Sequence, residues 1–508
     1  MSSKVSRKQF LKGMAVGSTM TLAASTLAGC QKAMPSGPVP SKWDEEADVV
    51  VVGTGFAGLA AAIEAKNAGA VVKVIDKMET PGGNSIINGG DFAAPGNWYQ
   101  KEQGIEDSPE LMLKDMLKAG LNLNHVDRAK LLTEKALEAA EWARDYIGAE
   151  FYRLTYHGGH SVPRTVQLVK GGSELINKML KKLQELGVNV ETQRKLERLI
   201  VNEAGRVVGI EVKDGYQFGD ETSGKSVYIK AKKAVVLATG GFSRDIKMRM
   251  IHDPRLTDAF ESTNHPGATG EALRAALKIG AMDVHMDWIQ LGPWASPDEP
   301  GFGLVPLFCE RVVGWAPMIN PKTGKRFINE TGNRKVRADA IIEIGVPVVI
   351  VADTYATEKN VPADVIEGGL KNGAIKKFDT LEEFAKAYDI PWDAFKAEVE
   401  RWNKFVENQK DEDFGCMIFK DAKPLGFQPP FYAARLWPKV HHCMGGLVTD
   451  VNGRVIGQDF EPIPGLYAAG EVTGGIHGAV RLGGVAMADC VVYGRIAGKN
   501  AAAETPAA

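Results

Sequence analysis

Residues 47–77 read ADVVVVGTGFAGLAAAIEAKNAGAVVKVIDK. The run at 48–52 is apolar enough for a strand buried on both faces. Gly53-x-Gly55-x-x-Gly58 follows and opens a helix of Ala, Leu and Ile. A second apolar run, VVKVID, ends in Asp76. Strand, glycine turn, helix, strand and acid in that order form the dinucleotide fingerprint. The glycines permit a tight turn and let a pyrophosphate approach the helix N-terminus, and the acid accepts hydrogen bonds from a ribose. A bare glycine triplet would also suit a plain βαβ unit packed through its glycines. The flanking strands and the acid favour the nucleotide.

Around this stretch the chain runs to 508 residues, enough for two or three domains. Its 44% hydrophobic and 24% charged residues are ordinary for a globular protein, and a net charge of −2 gives no basic face for nucleic acid. The five cysteines (30, 309, 416, 443, 490) form no C-x-x-C pair and no haem-attachment motif. They offer no disulfide framework, no iron–sulfur ligand set and no metal site, so electrons must arrive from a separate partner. Residues 1–30 have signal anatomy: a basic start, a short apolar middle at about 14–28 diluted by Ser, Thr and Gly, and a small-residue end. SRKQFLK resembles a twin-arginine export signal with Lys8 in place of the second arginine, and LAGC resembles a lipoprotein box. The expectation is an exported protein, periplasmic or on the outer face of the cytoplasmic membrane, tethered through an acylated Cys30 and the linker 31–46. An ordinary cleaved signal with an incidental Cys30 is the alternative.

Three further glycine-bearing segments follow: METPGGNSIINGGDFAAPGN (78–97), KAVVLATGG (233–241) and IPGLYAAGEVTGG (463–475). A second glycine turn so soon after the acid is not needed for NAD. With these segments in place, the chain from about Asp48 to Gly498 resembles the flavoprotein subunits of fumarate reductase and succinate dehydrogenase. It is most similar to the soluble periplasmic branch, the flavocytochrome c fumarate reductases and their haem-free relatives. The resemblance implies an α/β fold: a discontinuous, Rossmann-like FAD-binding domain (47–287 and 439–508) with an inserted α+β capping domain at 288–438. FAD would be held by Gly53, Gly55, Phe56, Ala57 and Gly58 in the first turn, and by Asp76 and Lys77. Gly83, Asn84, Ser85, Gly89 and Gly90 would follow, then Thr239 and Gly240. Gly470, Glu471, Arg481, Gly484 and Val485 would complete the site near the flavin end. Asn84 and Ser85 stand where membrane-bound relatives carry the attaching histidine, so non-covalent FAD is expected. In the cap, LEEFAKAYDIPWDAFKAEVERWNKFVENQKD has helical spacing and reads as a surface helical pair.

Near the C-terminus, GEVTGGIHGAVRLGGVAMAD (470–489) carries Arg481 among glycines. Burying a guanidinium is costly unless it meets an anion. That anion is either a structural carboxylate or a substrate. AVRLGG matches the family's NRLGG, whose arginine grips a substrate carboxylate. VHHCMGGLVTD matches HHTMGG, which makes His442 a second clamp and leaves His441 open, with Cys443 a small-residue replacement for Thr. TGKRFINETGNRKVRAD matches GNRFMNE…TR, which makes Arg334 the proton donor; the alternative is an ion pair with Glu330. Glu310, in FCERVVG, aligns with the family's relay acid.

The chain also departs from the family. The second carboxylate of fumarate is held in those enzymes by the His of QAHPT and the Thr of TE. Here WIQLGPW puts Gly292, and LFCER puts Cys309, at those places. Val313 stands where the relay's second arginine would be, with Arg311 two positions away. Trp288, Trp294, Phe302 and Phe308 lie near in sequence. A site lacking donors rejects the diacid. The expected substrate therefore has one carboxylate and an apolar or aromatic far end, as in acrylate, methacrylate or cinnamate. The reaction would reduce the C=C bond, with electrons from a cytochrome c or a membrane quinol dehydrogenase. TYHGGHSVPRT adds His157, His160 and Arg164; Arg164 serves either a polar substrate end or the loop itself. The other readings are fumarate reduction proper, a 3-ketosteroid or enone oxidoreductase on the same fold, and a non-enzymatic FAD electron carrier.

Overall fold

The computed structural model describes residues 38–507. The export segment and Cys30 lie outside the described residues. Among the described residues no helix is long and apolar enough to cross a membrane.

The quoted stretch folds as its pattern demands. Glu45–Val52 and Val72–Ile75 pair in parallel, Val49 opposite Val72, and the helix Phe56–Asn67 runs between them. Glu45–Val52 also pairs in parallel with Lys225–Leu237, which pairs in parallel with Pro462–Ala468. The main sheet therefore runs Arg454–Ile456, Pro462–Ala468, Lys225–Leu237, Glu45–Val52, Val72–Ile75, Val190–Glu191, and the hairpin Arg194–Val201/Val207–Asp214 joins it on Lys225–Leu237. Its central strands are covered on both faces, which is why they read as unbroken apolar runs.

Ten of the twelve residues of Phe56–Asn67 are buried, because the last helix, Val485–Ala503, covers its outer side. The two backbones meet through small residues. A Cβ on Gly494 would lie 2.4 Å from the Ala57 carbonyl oxygen, and one on Gly498 would lie 2.1 Å from that of Ala61. This contact ties residues more than 400 positions apart into one nucleotide-binding layer.

Residues 294–437 build a second core around an antiparallel sheet in the order Met318–Ile319, Val348–Asp353, Phe431–Leu436, Ile375–Phe378. The expected helical pair is present as Leu381–Ala387 and Trp392–Asn408. The second helix buries Phe395, Val399, Trp402, Phe405 and Val406 along one stripe. The chain enters and leaves this layer side by side, since Ile289–Gly292 and Lys439–Cys443 form an antiparallel ribbon with Gln290 opposite His442. A third small sheet, Asp91–Ala93, Thr165–Gly171 and Phe151–Thr155, carries Asp91 and leads into His157.

Candidate active site

Two cavities adjoin across the shared walls Phe56, Asn84, Ser85, Glu471 and Cys490, as the two halves of one cleft. The first lies over the glycine turn. Gly53 has φ +105°, and a Cβ there would lie 2.3 Å from the Ala238 carbonyl oxygen, so only glycine lets the neighbouring strand end come this close. Asp76 accepts from the Thr54 and Met78 amides, at 3.0 and 2.9 Å. Ser85 Oγ accepts from the Phe56 amide at 3.0 Å and fixes the second glycine segment against the helix N-terminus.

A dinucleotide fits this half of the cleft. No side chain caps the helix at Gly55, so its first amides remain available to a phosphate. A Cβ on Gly83 or Gly240 would meet nothing within 4 Å, so both open onto free space. Thr239 Oγ1 is buried there without a partner. The lining also includes Gly53, Gly55, Phe56, Ala57, Asp76, Lys77, Asn84, Ser85, Gly470 and Glu471. Two of the expected residues lie outside the lining. Gly58 is absent from the lining; its missing side chain serves packing, since a Cβ would lie 2.0 Å from the Gly53 carbonyl oxygen. Val485 is buried in the core, where it begins the last helix. Gly89, Gly90, Gly484 and Arg481 line the second half of the cleft instead. Arg194, Lys195, His265 and Glu271 line the first half but belong to no motif, so sequence reading missed them.

The second half gathers Arg334, Glu310, His441, His442 and Arg481. Arg481 is buried, and Nη2 donates to His441 Nε2 at 2.9 Å while Nη1 donates to the Leu482 carbonyl at 3.2 Å. Its Nε has no partner. Because His441 Nε2 accepts, its proton sits on Nδ1, which faces Thr263 Oγ1 at 2.7 Å. Burial, then Arg334 and Arg481, hold the His441 pKa well below the ordinary histidine range, so the ring is neutral. His442 is likewise neutral, through burial and then Arg481. Its Nδ1 lies 3.5 Å from Glu471. Burial also pushes the Glu471 carboxyl up to about 7. Burial and then the neighbouring Arg334 pull the Arg481 pKa well down.

Arg334 begins the helix Arg334–Ile344, which Asn333 caps through the Val336 amide. Its guanidinium lies over the Trp294 ring, 5.3 Å from the centroid, with one long hydrogen bond of 3.4 Å to Gln290. The alternative pairing with Glu330 does not form, because Glu330 is held by Arg326 in a fully buried pair with Asp411. Burial first, and then the neighbouring Arg337, lower the Arg334 pKa to about 10. Among the described residues, neither Arg334 nor Arg481 has a carboxylate at ion-pair distance. Glu310 instead meets Arg337 at 2.8 Å, a residue the sequence pattern did not single out.

One wall is apolar: Trp294, Phe302, Pro306 and Leu307. A Cβ on Gly292 would lie 2.8 Å from the tip of the Trp294 indole, so the ring takes the space a larger residue 292 would need. Trp294 also packs edge-on to His441, with centroids 4.7 Å apart. Phe308 and Cys309 point away into the second core, and Trp288 packs on the first. Neither aromatic lines the cleft. Arg164 also stays out of it: fully buried, it pairs with Asp107 at 3.0 Å and Asp115 at 2.7 Å, which makes it structural. His160 accepts from it at 3.0 Å. His157, by contrast, lines the cleft.

A dinucleotide cradle that adjoins a pocket holding two buried arginines defines a flavin-dependent oxidoreductase. Residues 48–487 match the FAD binding domain family, so FAD is the cofactor. The chain belongs to the fumarate reductase and succinate dehydrogenase flavoprotein family. It is 42% identical to the acrylate reductase flavoprotein subunit of Shewanella woodyi, over 98% of this chain and 99% of that one. It is 35% identical to the urocanate reductase of Eggerthella lenta, over 93% of this chain and 77% of that one. It superposes on the open conformation of a flavocytochrome c3 fumarate reductase with a TM-score of 0.71 at 36% identity, covering 91% of this chain and 79% of the other.

Proposed function

We propose that this protein reduces the C=C bond of an α,β-unsaturated monocarboxylate. One observation carries the reading: two buried guanidiniums without carboxylate partners, Arg334 and Arg481, share a pocket with an apolar wall of Trp294, Phe302, Pro306 and Leu307. Two uncompensated buried cations are costly, and an anionic ligand relieves that cost. Bound FAD, held non-covalently, supplies the hydride. Arg481, with His441 and His442 beside it, grips the single carboxylate and stabilises the charge that develops next to it as the double bond is reduced. Arg334 holds the proton for the α-carbon. An arginine is ordinarily too weak an acid, and the burial that brings its pKa to about 10 shortens that gap. Glu310 returns the proton to Arg334. Trp294 fills the space beside Gly292 where the second clamp of a diacid site would stand.

The exported, Cys30-acylated form and a separate electron donor of cytochrome or quinol-dehydrogenase type complete the proposal. The basic-apolar-small leader and the lack of cysteine or haem motifs support them. The carboxylate-gripping pair argues against a ketosteroid substrate, which has no carboxylate, and against a mere electron carrier.

The test is turnover of FAD-loaded protein with reduced methyl viologen and acrylate, methacrylate, cinnamate, urocanate or fumarate. A monocarboxylate is expected to have the highest kcat/KM. Fumarate as the best substrate would sink the single-clamp reading.

A further inference from the structure

Glu310 can give Arg334 only one proton before it needs another. The neighbour that could refill it as an arginine is absent at Val313, which is buried. Arg337, on Glu310 at 2.8 Å, is 1% exposed. The other neighbour of Glu310 is His157. Its Nδ1 lies 3.5 Å from Glu310, and its Nε2 lies 3.2 Å from Asp91. One imidazole thus stands between two carboxylates along the wall of the substrate cavity, at ion-pair distance from both and with neither ring nitrogen in a formed hydrogen bond. Arg311 Nη2 stands 3.7 Å from the same Asp91 oxygen, and Thr155 Oγ1 donates to it at 2.8 Å. These four elements converge from different parts of the chain: the second glycine segment, the loop after Phe151–Thr155, the helix Val305–Val312 and the RLGG turn. The last sets the ring in place, since a Cβ on Gly483 would lie 2.4 Å from His157 Cγ.

We propose that His157, oriented by the Asp91 carboxylate, forms the outer limb of the proton relay, carrying protons from the cavity it lines to Glu310 and so to Arg334. The inference rests on the reductase reading above. After Arg334 has protonated the substrate, Glu310 passes its proton to Arg334. The His157 imidazolium gives its Nδ1 proton to Glu310 and is left as the Nε2–H ring. A proton from water in the cavity that the ring lines then returns to Nδ1, while Asp91, held ionised against burial by His157 and Arg311, keeps facing the Nε2–H. One proton enters for each proton delivered to substrate, and no electrons move along this limb.

The charges around the ring suit the task. Asp91 and Glu310 flank it; Arg311 faces Asp91, Arg337 faces Glu310, and His160 lies beside it on the same loop. His160 stays neutral through burial and the adjacent Arg164. Burial alone would discharge His157, but Asp91 and Glu310 outweigh it and hold its pKa above the ordinary value.

The experiment compares holoenzyme with His157→Gln and Asp91→Asn in viologen-driven enoate reduction, across pH and in light and heavy water. In His157→Gln, kcat is expected to fall by ~10²-fold, while KM stays within about threefold and FAD content is unchanged. The solvent isotope effect on kcat should rise, and added imidazole should restore part of the rate to His157→Ala. Asp91→Asn, which removes the carboxylate facing Nε2, should lower kcat by ~10-fold and carry the test if the histidine variants do not fold. Near-wild-type kcat in either folded variant overturns the relay. So does a lower kcat with an unchanged isotope effect and no imidazole rescue, which would mark His157 as structural. Wild-type protein that reduces no enoate overturns the functional reading, and the relay with it; an active wild type with an active His157→Gln overturns the relay alone.

Discussion

Nη2 of Arg481 lies 2.9 Å from Nε2 of His441, so the nearest partner of this buried cation is a neutral ring and not a carboxylate. Removing the guanidinium should cost the charge-assisted contact to substrate. Arg481→Gln is expected to lower kcat/KM for acrylate by ~10- to 100-fold, from about 1.5–3 kcal/mol. Arg481→Lys should recover only part of this, because a point charge lacks the bidentate fork. Steady-state kinetics on FAD-replete variants decides it, and unaltered kcat/KM in Arg481→Gln would remove this residue from the clamp.

Arg334 should separate binding from chemistry. Arg334→Gln is expected to keep its FAD and to lose ~10²- to 10⁴-fold in kcat. In the wild type the donor must be protonated, and its pKa is about 10. Activity should therefore persist through neutral pH and fall as the pH passes about 10. A base limb well below that would point to a different donor.

The indole of Trp294 and the bare Gly292 form one specificity element, since a Cβ at 292 would lie 2.8 Å from the ring. Gly292→His alone should destabilise the protein by about 1–3 kcal/mol through overpacking. Pairing it with Trp294→Ala gives the imidazole room. The double variant is expected to raise fumarate turnover relative to acrylate by at least ~10-fold. Competition assays with both acids measure this ratio, and an unchanged ratio would mean that the missing second clamp lies elsewhere.

Glu471 gives the apoprotein a pH signature. Its carboxyl is pushed from 4.5 up to about 7 by burial. The folded state then binds more protons than the unfolded state between those values, so stability is highest below about 4.5 and declines as pH rises through about 7. The decline from this one group is bounded at about 3 kcal/mol. Thermal melts of apoprotein from pH 5 to 8 should slope downward from this source, and Glu471→Gln should flatten the slope. Paired carboxylates such as Glu310, held low by Arg337 against burial, act in the opposite sense under more acid conditions.

The helix crossing of Phe56–Asn67 and Val485–Ala503 depends on Gly498, where a Cβ would lie 2.1 Å from the Ala61 carbonyl oxygen. Gly498→Val should cost about 1–3 kcal/mol, chiefly as overpacking, and weaken FAD retention by tilting the helix that carries the glycine turn. Melting temperature and flavin content of the purified variant report both effects.

Local pattern was enough for the nucleotide layer. Residues 47–77 state their own strands, turn and helix, because burial on both faces demands apolar runs and a tight turn demands glycine. Matched motifs placed Arg334, Glu310, His442 and Arg481 in one site before any coordinates. Sequence also raised the question at Gly292. It had no means of showing that Trp294, two positions on, folds back over that glycine, or that Phe308 and Trp288 turn away. Whether Arg164 was a substrate group or a loop staple depended on Asp107 and Asp115, which carry no motif. The same is true of Arg337 on Glu310 and of His157 between Glu310 and Asp91. Backbone geometry is set within a few residues, so sequence alone determined the strands, the turns and the cofactor class. The charge state of a buried group is set by whichever distant side chains the chain packs around it, and only the tertiary structure decided those.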